Sequence, residues 1–374
     1  MPQPTEVRNT IIYRARHAYC SHPCVTSLAN GDWLVAFSKS TQSDPIRHPP
    51  GDPQFINLMC RSRDQGQTWE QPRAVPGYDW HGVEVPGLVQ LSNGDVLLNQ
   101  WQFIWYPLET AKKLWLGEEL ECYLQNLDSP TPWNWERAAN AGDWEYHPHP
   151  FVRADGGAYV HISADNGSTW DLTVPVDISP NLAAFSNKGA IQLRNGDVLL
   201  ALGSCGHDPR AASFILRSTD LGRTWGPPLD VAQIDGQIHS EPSLVETTSG
   251  KILMITREET TCYAHQCESR DGGFTWTEPT PLHLWGYPPH CISLSDGRLL
   301  LIYGRRKMPF GIRASISEDE GETWGEEIIL RDDLPNGNLG YPTIIEHAPG
   351  KLFAVYYGED EEGTTHIQGT FFSI

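Results

Sequence analysis

The chain has 374 residues and a formal net charge of −20 at pH 7, which argues against nucleic acid or an anionic membrane as a partner. It has no run of 18 apolar residues, and its N-terminus lacks the basic and apolar regions of a signal peptide. A cytoplasmic location is therefore expected, or a secreted one if a signal peptide was removed. The 14 Trp and 34 Gly suit short strands joined by tight turns.

A repeated segment runs along the whole chain. Each copy has a turn glycine between two apolar half-strands, and in six of the seven copies a proline stands eight residues before that glycine. Such a pattern predicts a β-hairpin in every copy. The copies are His22-Pro23…Asn30-Gly31-Asp32, Val85-Pro86…Asn93-Gly94-Asp95, His147-Pro148…Asp155-Gly156, Asn187-Lys188…Asn195-Gly196-Asp197, Glu241-Pro242…Ser249-Gly250, Pro288-Pro289…Asp296-Gly297 and Tyr341-Pro342…Pro349-Gly350.

A second repeat, S-x-D-x-G-x-T-W, occurs five times. In this motif, the Asp box, Asp and Ser side chains bond to nearby backbone in a tight turn, and Gly adopts a positive φ. The motif is specific for a fold, and a catalytic role for its residues is not expected. The copies begin at Ser62, Ser163, Ser218, Ser269 and Ser317, and a degenerate copy begins at Asp128.

Repeats of about 40–60 residues built from short strands indicate an all-β fold, a single β-propeller over residues 1–374. Seven blades are predicted, with six as the alternative, because the copy between Gly156 and Gly196 is short. Residues 7–13 are expected to pair with residues 366–372 in the last blade, which removes open sheet edges. A short helix is expected near residues 109–120.

In a propeller the innermost strand of each blade begins at the central axis, here nine residues before the turn glycine. This position and its neighbours carry polar side chains, which predicts a polar axial pocket, because such groups are costly to bury without partners. Some of them are expected to be structural. The candidate ligand-binding residues are His22, His147, His149, Lys188, His239 and His290.

Glu241 and Tyr341 share this axial position in two blades, so both side chains are expected in the cavity. A carboxylate beside a phenol can take its proton and make it a nucleophile. Arg257 follows on the second strand of the Glu241 blade, and Arg313 precedes the last Asp box. Two guanidinium groups near one cavity suit a carboxylate ligand, although a lone Arg more often forms a surface ion pair.

The chain resembles the sialidase superfamily of Asp-box propellers over nearly its full length. The resemblance rests on the Asp boxes, on Glu241 with Arg257 on the following strand, on Arg313 before an Asp box, and on Gly340-Tyr341-Pro342 at the start of the last blade. It implies that Tyr341 attacks the anomeric carbon, that Glu241 activates it, and that Asp52 protonates the leaving oxygen. Asp44 lies in the same loop, and Asp52 is the better match. Arg257 and Arg313 would hold an acidic sugar.

The chain departs from that family at its first blade, where Ser21-His22-Pro23 replaces an Arg-Ile-Pro motif. The first of three carboxylate-binding arginines is therefore absent. The five histidines also have no counterpart in the pattern.

Three functions follow. The first is an exo-glycoside hydrolase acting on an acidic or deoxy sugar through Tyr341, Glu241 and Asp52. The second is a polysaccharide lyase, in which Tyr341 or a histidine abstracts a proton from a uronate whose carboxylate is neutralised by arginine. The third is a non-catalytic sugar-binding propeller. All three imply a carbohydrate partner. No cofactor is expected, and His147-Pro148-His149 is too weak a pattern to predict a metal site.

Overall fold

The computed structural model describes residues 4–42, 55–76, 81–128, 135–181, 184, 186–204 and 212–374, without the side chains of 81–84 and 155. Within these ranges the strands form six sheets, which are the blades of an all-β propeller. None of the helices in the described residues is both long and apolar enough to cross a membrane.

The first half of the chain forms blades 1 to 3. The chain begins with β1 (Thr5–Tyr13), and blade 1 follows as β2 (Ala18–Ser27), β3 (Trp33–Thr41), β4 (Ile56–Ser62) and β5 (Arg73–Ala74). Blade 2 starts with β6 (His81–Gln90) and β7 (Val96–Pro107), then has an insertion of α1 (Leu108–Leu116), β8 (Tyr123–Leu124), β9 (Glu136–Arg137) and a 3₁₀-helix (Ala141–Glu145), and ends with β10 (Phe151–Ser163) and β11 (Leu172–Val176). Blade 3 contains β12 (Ile191–Gln192), β13 (Val198–Gly203), β14 (Ser213–Ser218) and β15 (Leu229–Ala232).

The second half forms blades 4 to 6. Blade 4 contains β16 (His239–Glu246), β17 (Ile252–Glu258), β18 (Tyr263–Ser269) and β19 (Thr280–Trp285). Blade 5 contains β20 (His290–Ser293), β21 (Leu299–Arg305), β22 (Gly311–Ser317) and β23 (Ile328–Arg331). Blade 6 contains β24 (Leu339–Ala348), β25 (Lys351–Glu359) and β26 (Thr365–Ser373), and its outermost strand is β1. β1 pairs antiparallel with β26, with Thr10 opposite Gly369, so the first strand of the chain belongs to the last blade.

Hydrophobic side chains from neighbouring blades fill the spaces between the sheets. Val35 of blade 1 and Phe353 of blade 6 belong to one buried cluster, and Leu253 and Leu301 join blades 4 and 5 in another. Each of the six interfaces, including the one between the first and last blades, has a cluster of this kind. Burying one such side chain contributes about 1.5–3 kcal/mol, so these clusters hold the ring of blades together.

The turns form as the sequence predicts. At the first hairpin of blade 2, Gly94 has φ +92°, and the Asn93 side chain accepts a hydrogen bond from the amide of Asp95 at 3.1 Å. In the last Asp box, Ser317 Oγ donates to Asp319 Oδ1 at 2.8 Å, and Asp319 Oδ1 accepts from the Thr323 amide at 2.8 Å. All five boxes repeat these contacts between the third and fourth strands of blades 1 to 5. The degenerate copy at Asp128 lies mostly outside the described residues.

The preference for seven blades is wrong for the described residues, and the third repeat explains the error. Asp155-Gly156 is not a hairpin turn but lies inside the long strand β10, at an irregularity in its pairing with β7. β10 pairs with β7 along its whole length and completes blade 2, with β8 on its first half and β11 on its second. The predicted short helix is present as α1, which begins the insertion before β10.

Candidate active site

The innermost strands of four blades share a backbone bend at the predicted axial position. His22, Val85, Glu241 and Tyr341 have φ values between +50° and +56°, a conformation that non-glycine residues rarely adopt, and each is followed by proline. At each bend two residues face a single residue of the next strand, which is a β-bulge. Strained backbone of this kind costs about 1–3 kcal/mol per residue and concentrates at functional sites.

Two of these bends bring Glu241 of blade 4 and Tyr341 of blade 6 together. Tyr341 Oη donates a hydrogen bond to Glu241 Oε1. Both residues are buried: Tyr341 is 6% exposed to solvent and Glu241 is 4% exposed. Burial and the neighbouring Glu241 charge raise the pKa of Tyr341 well above its usual value. Burial opposes ionisation of Glu241, but Arg257 and the Tyr341 hydroxyl outweigh it and lower the pKa of this carboxyl. The resting state is therefore a neutral phenol bonded to a carboxylate.

Arg257 connects this pair to a second carboxylate. It lies on β17 opposite Ser240, and its Nη1 donates to Glu241 Oε2 at 2.9 Å while its Nη2 lies 2.7 Å from Glu259 Oε2. Ser240 Oγ donates to the other oxygen of Glu259. Burial raises the pKa of Glu259, and Arg257 opposes that rise. Tyr287 stacks on the guanidinium, with its ring centroid 4.0 Å from Arg257 Cζ.

Arg306 is the second guanidinium group beside the pair, and the sequence analysis missed it. Its Cζ lies 5.5 Å from the Tyr341 ring centroid, and its Nε donates to the Leu339 carbonyl at 2.8 Å. Arg306 follows its turn glycine by nine residues, the position that Glu259 holds in the preceding blade. Reading this column of the repeat would have found both residues. We call Glu241, Arg257, Glu259, Arg306 and Tyr341 the central cluster.

Arg313 does not belong to the central cluster, contrary to its prediction as a substrate ligand. It is 1% exposed and lies inside blade 5, where its Nε donates to Glu327 Oε2 at 3.2 Å and its Nη2 donates to the Pro309 carbonyl at 3.2 Å. A buried guanidinium group needs such partners. Through these contacts Arg313 joins β22 to the neighbouring segments. Its role is structural.

His22 is the predicted histidine that touches the cluster. Its ring meets the Tyr341 ring edge to face at a centroid distance of 4.2 Å, and its Nδ1 lies 2.9 Å from Ser21 Oγ. Burial, with the nearby Arg306 and Lys188 charges, lowers the pKa of His22 to about 3. His22 is therefore neutral at ordinary pH, where an arginine would be charged.

Lys188 and Asn187 of blade 3 reach towards blades 1 and 6. Lys188 Nζ donates to the Pro342 carbonyl at 3.0 Å, and Asn187 Nδ2 donates to the Pro23 carbonyl at 3.0 Å. Burial lowers the pKa of Lys188 to about 7, and Glu241 opposes this shift. These two side chains thus tie three blades together beside the cluster.

The remaining predicted histidines are engaged in structural contacts. His290 Nδ1 accepts from the Ile344 amide at 3.1 Å and so links blades 5 and 6. His239 is fully buried, with one ring nitrogen 3.1 Å from Thr256 Oγ1 and the other 2.9 Å from Gln237 Oε1. With both nitrogens bonded inside blade 4, it is not available to a ligand.

His147 and His149 lie in the insertion of blade 2, not at the start of a separate blade. His147 Nδ1 accepts from the Gln125 amide at 2.9 Å and its Nε2 donates to the Phe151 carbonyl at 2.7 Å, while His149 Nε2 lies 2.8 Å from Gln125 Oε1. Their prediction as axial ligands followed from the miscounted repeat and is wrong. Among the described residues, no group of three His, Cys, Asp or Glu side chains is arranged to hold a metal ion. Asp52 and Asp44 lie outside the described residues.

The ring of blades, the Asp boxes and the Tyr–Glu–Arg cluster define a β-propeller of the sialidase type. The chain belongs to the BNR repeat-like domain family, whose profile matches residues 157–354, more than half of its length.

Similar proteins include a sialidase of Paraclostridium sordellii, which is 25% identical over 221 residues. That match covers 50% of this chain and 54% of the relative, so the chain spans about half the length of the sialidase it matches. A solved protein of unknown function from Dyadobacter fermentans is 25% identical, with a TM-score of 0.81 over 99% of this chain and 100% of its own.

Two more distant structures share the fold. A sialidase of Streptococcus pneumoniae is 15% identical, with a TM-score of 0.68 over 98% of this chain and 70% of its own. An α-L-arabinanase of Penicillium chrysogenum, solved with arabinobiose, is 15% identical, with a TM-score of 0.61 over 100% of this chain and 99% of its own.

Proposed function

We propose that this protein is a retaining glycoside hydrolase in which Tyr341 is the nucleophile and Glu241 is its base. The observation that carries the proposal is the hydrogen bond from Tyr341 Oη to Glu241 Oε1, made by two residues on strained bends of different blades. The sialidase relatives support the same reaction class.

The chemistry follows from the charges of the pair. As Tyr341 Oη forms a bond to the anomeric carbon, its proton passes to Glu241 and the bond to the leaving oxygen breaks. The raised pKa of the phenol means that proton loss accompanies bond formation rather than preceding it. An acid must supply a proton to the leaving oxygen, and Asp52 remains our proposal for that role. Water then attacks the anomeric carbon and gives its proton to Asp52, while the bond to Tyr341 breaks and the phenol recovers its proton from Glu241, so the configuration is retained.

Arg257 keeps Glu241 ionised and fixed in position. Its 2.9 Å bond to Glu241 Oε2 leaves Oε1 directed at the phenol. Without that cation, burial would favour the protonated carboxyl, which cannot accept the Tyr341 proton.

The lyase alternative requires guanidinium groups to neutralise a uronate carboxylate. Arg313 is paired with Glu327 inside blade 5, and Arg257 is paired with two carboxylates of the protein. His22 is neutral but packs edge-on against the Tyr341 ring. Arg306 also lies beside the pair, where its Nε donates to the Leu339 carbonyl. Because both arginines expected to neutralise the carboxylate are already paired, these contacts favour hydrolysis over elimination.

The test is a product assay with wild type and Tyr341→Phe. A panel of chromogenic sialosides, uronides, rhamnosides and arabinosides, with uronate polysaccharides, is followed for released sugar and for the absorbance of an unsaturated product. We expect sugar release that Tyr341→Phe abolishes, and mass spectrometry of trypsin fragments should find a fluorinated glycosyl substrate attached to Tyr341. An unsaturated product would establish the lyase instead, and full activity of Tyr341→Phe would exclude Tyr341 as the nucleophile.

A further inference from the structure

We infer that the central cluster binds an uncharged sugar ring and that Glu259 sets this preference by occupying Arg257. The inference rests on the proposed glycosidase function and reverses the acidic-sugar expectation that the resemblance implied.

Arg257 has little capacity left for a substrate carboxylate. A carboxylate binds arginine best through two parallel N–H groups. Here one terminal nitrogen donates to Glu241 at 2.9 Å and the other lies 2.7 Å from Glu259. Its Nε is buried, and no described residue accepts a hydrogen bond from it. One face of the guanidinium is covered by Tyr287. The protein's own carboxylates therefore engage both terminal nitrogens of Arg257, and of its three nitrogens Nε is the one without a described partner.

The other described cationic side chains near the cluster are neutral or already bonded to groups of the protein. His22 is neutral and Arg313 is buried with Glu327. Lys188 directs its Nζ at the Pro342 carbonyl. Arg306 Nε donates a hydrogen bond to the Leu339 carbonyl, and its Nη2 lies 3.4 Å from Tyr357 Oη.

The charges of the cluster therefore balance. Two guanidinium groups, Arg257 and Arg306, face two carboxylates, Glu241 and Glu259, so these four side chains carry no net charge when both carboxylates are ionised. The net charge of −20 on the whole chain further disfavours an anionic substrate.

The polar groups on the Tyr357 side of Arg306 include two uncharged hydroxyls and an amide. Tyr19 Oη donates to Asn338 Oδ1 at 2.9 Å, Tyr357 Oη lies 3.3 Å from the same oxygen, and Asn338 Nδ2 donates to Glu359 at 2.9 Å. Hydroxyl and amide groups both donate and accept hydrogen bonds, as sugar hydroxyls do. A neutral monosaccharide can exchange such bonds without bringing an unpaired charge into a buried site.

The experiment compares neutral and acidic substrates on three proteins. Values of kcat/KM are measured for nitrophenyl arabinosides, rhamnosides and galactosides and for the sialoside and glucuronide, with wild type, Glu259→Gln and Glu327→Gln. The last variant removes a carboxylate from a different arginine, Arg313, and is the matched control. We expect wild type to prefer a neutral glycoside, and Glu259→Gln to shift that preference towards acidic glycosides by on the order of tenfold. Glu327→Gln should leave the preference unchanged.

Two results separate this inference from the proposed function. If wild type cleaves the sialoside or glucuronide best and Tyr341→Phe abolishes that cleavage, the inference is overturned and the glycosidase stands. If nothing is cleaved, the glycosidase proposal fails, and calorimetric titration of wild type with the methyl glycosides decides the inference. Binding of a neutral sugar alone supports it, whereas binding of an acidic sugar, or of none, overturns it.

Discussion

Replacing Glu241 by Gln tests the central cluster most directly, because it removes one charge and keeps the shape. At 2.9 Å and an effective dielectric constant of about 20, the attraction between Glu241 and Arg257 is about 6 kcal/mol before desolvation is counted. Breaking a buried pair typically costs about 3–5 kcal/mol, because the remaining charge has no partner. Here Glu259 still holds Arg257 at 2.7 Å, so we expect the free energy of unfolding to fall by only about 1–3 kcal/mol.

The effect on rate should be larger than the effect on stability. A glutamine cannot take the Tyr341 proton, and loss of a general base typically lowers the rate about 10²–10⁴-fold. Both quantities are measurable on the same protein, by urea denaturation and by kcat/KM on the best substrate of the panel. Glu246→Gln is the matched control, because Glu246 lies on the same strand but contacts Arg194 at the hairpin end.

A double variant makes the reasoning refutable. If Glu241 acts through Tyr341, the variant carrying both Glu241→Gln and Tyr341→Phe should be no slower than Tyr341→Phe alone, because residues that act as one unit are not additive. Losses that multiply would show that Glu241 works independently of the phenol. An unchanged kcat/KM in Glu241→Gln would remove the base from the mechanism altogether.

Three further predictions follow from the described contacts. Arg306→Met should reduce kcat/KM about tenfold or more, whereas Arg313→Met should lower thermal stability and leave kcat/KM unchanged. The reverse pattern would contradict our placement of the two arginines. In the folded protein the pKa of Lys188 is about 7, below its value in the unfolded chain. Above pH 7 the unfolded chain therefore binds more protons than the folded protein, so the free energy of unfolding should rise from about pH 7 to pH 9. Urea denaturation of Lys188→Met should lack that rise, and an identical pH profile would refute the assignment. Hydrogen bonds lower the pKa of Asp165 to about 2. Its contribution to the free energy of unfolding is therefore present above the unfolded pKa near 4 and is lost as pH falls towards 2. Asp165→Asn should therefore show a flatter acid denaturation curve at unchanged kcat/KM.

The turns and the meeting of Glu241 with Tyr341 were predictable because their determinants are local or strictly repeated. In an Asp box, the Ser, Asp, Gly and Thr groups that bond to one another lie within seven consecutive residues, so the motif contains its own contacts. Glu241 and Tyr341 are a hundred residues apart in sequence, yet they occupy the same repeat position. The symmetry of a propeller places such positions around one axis.

The blade count and the exclusion of Arg313 from the site depended on contacts that the repeat does not encode. Asp155-Gly156 has the composition of a hairpin turn, and only the continuous pairing of β10 with β7 shows that the strand runs through it. Arg313 and Arg306 both lie in blade 5 near an expected pocket. What separates them is Glu327, which holds Arg313 inside the blade, and this partner cannot be identified from spacing along the chain.

The bend shared by His22, Val85, Glu241 and Tyr341 also bears on how substitutions can change this protein. Each bend is built by backbone and by the proline that follows, so it does not depend on the identity of the side chain it presents. A single codon change at one of these positions can replace the presented group without inserting a loop or remodelling a blade. Glu241 and Tyr341 occupy two of these positions, and at His22 and Val85 the same bend presents an imidazole and an apolar side chain on an unchanged fold.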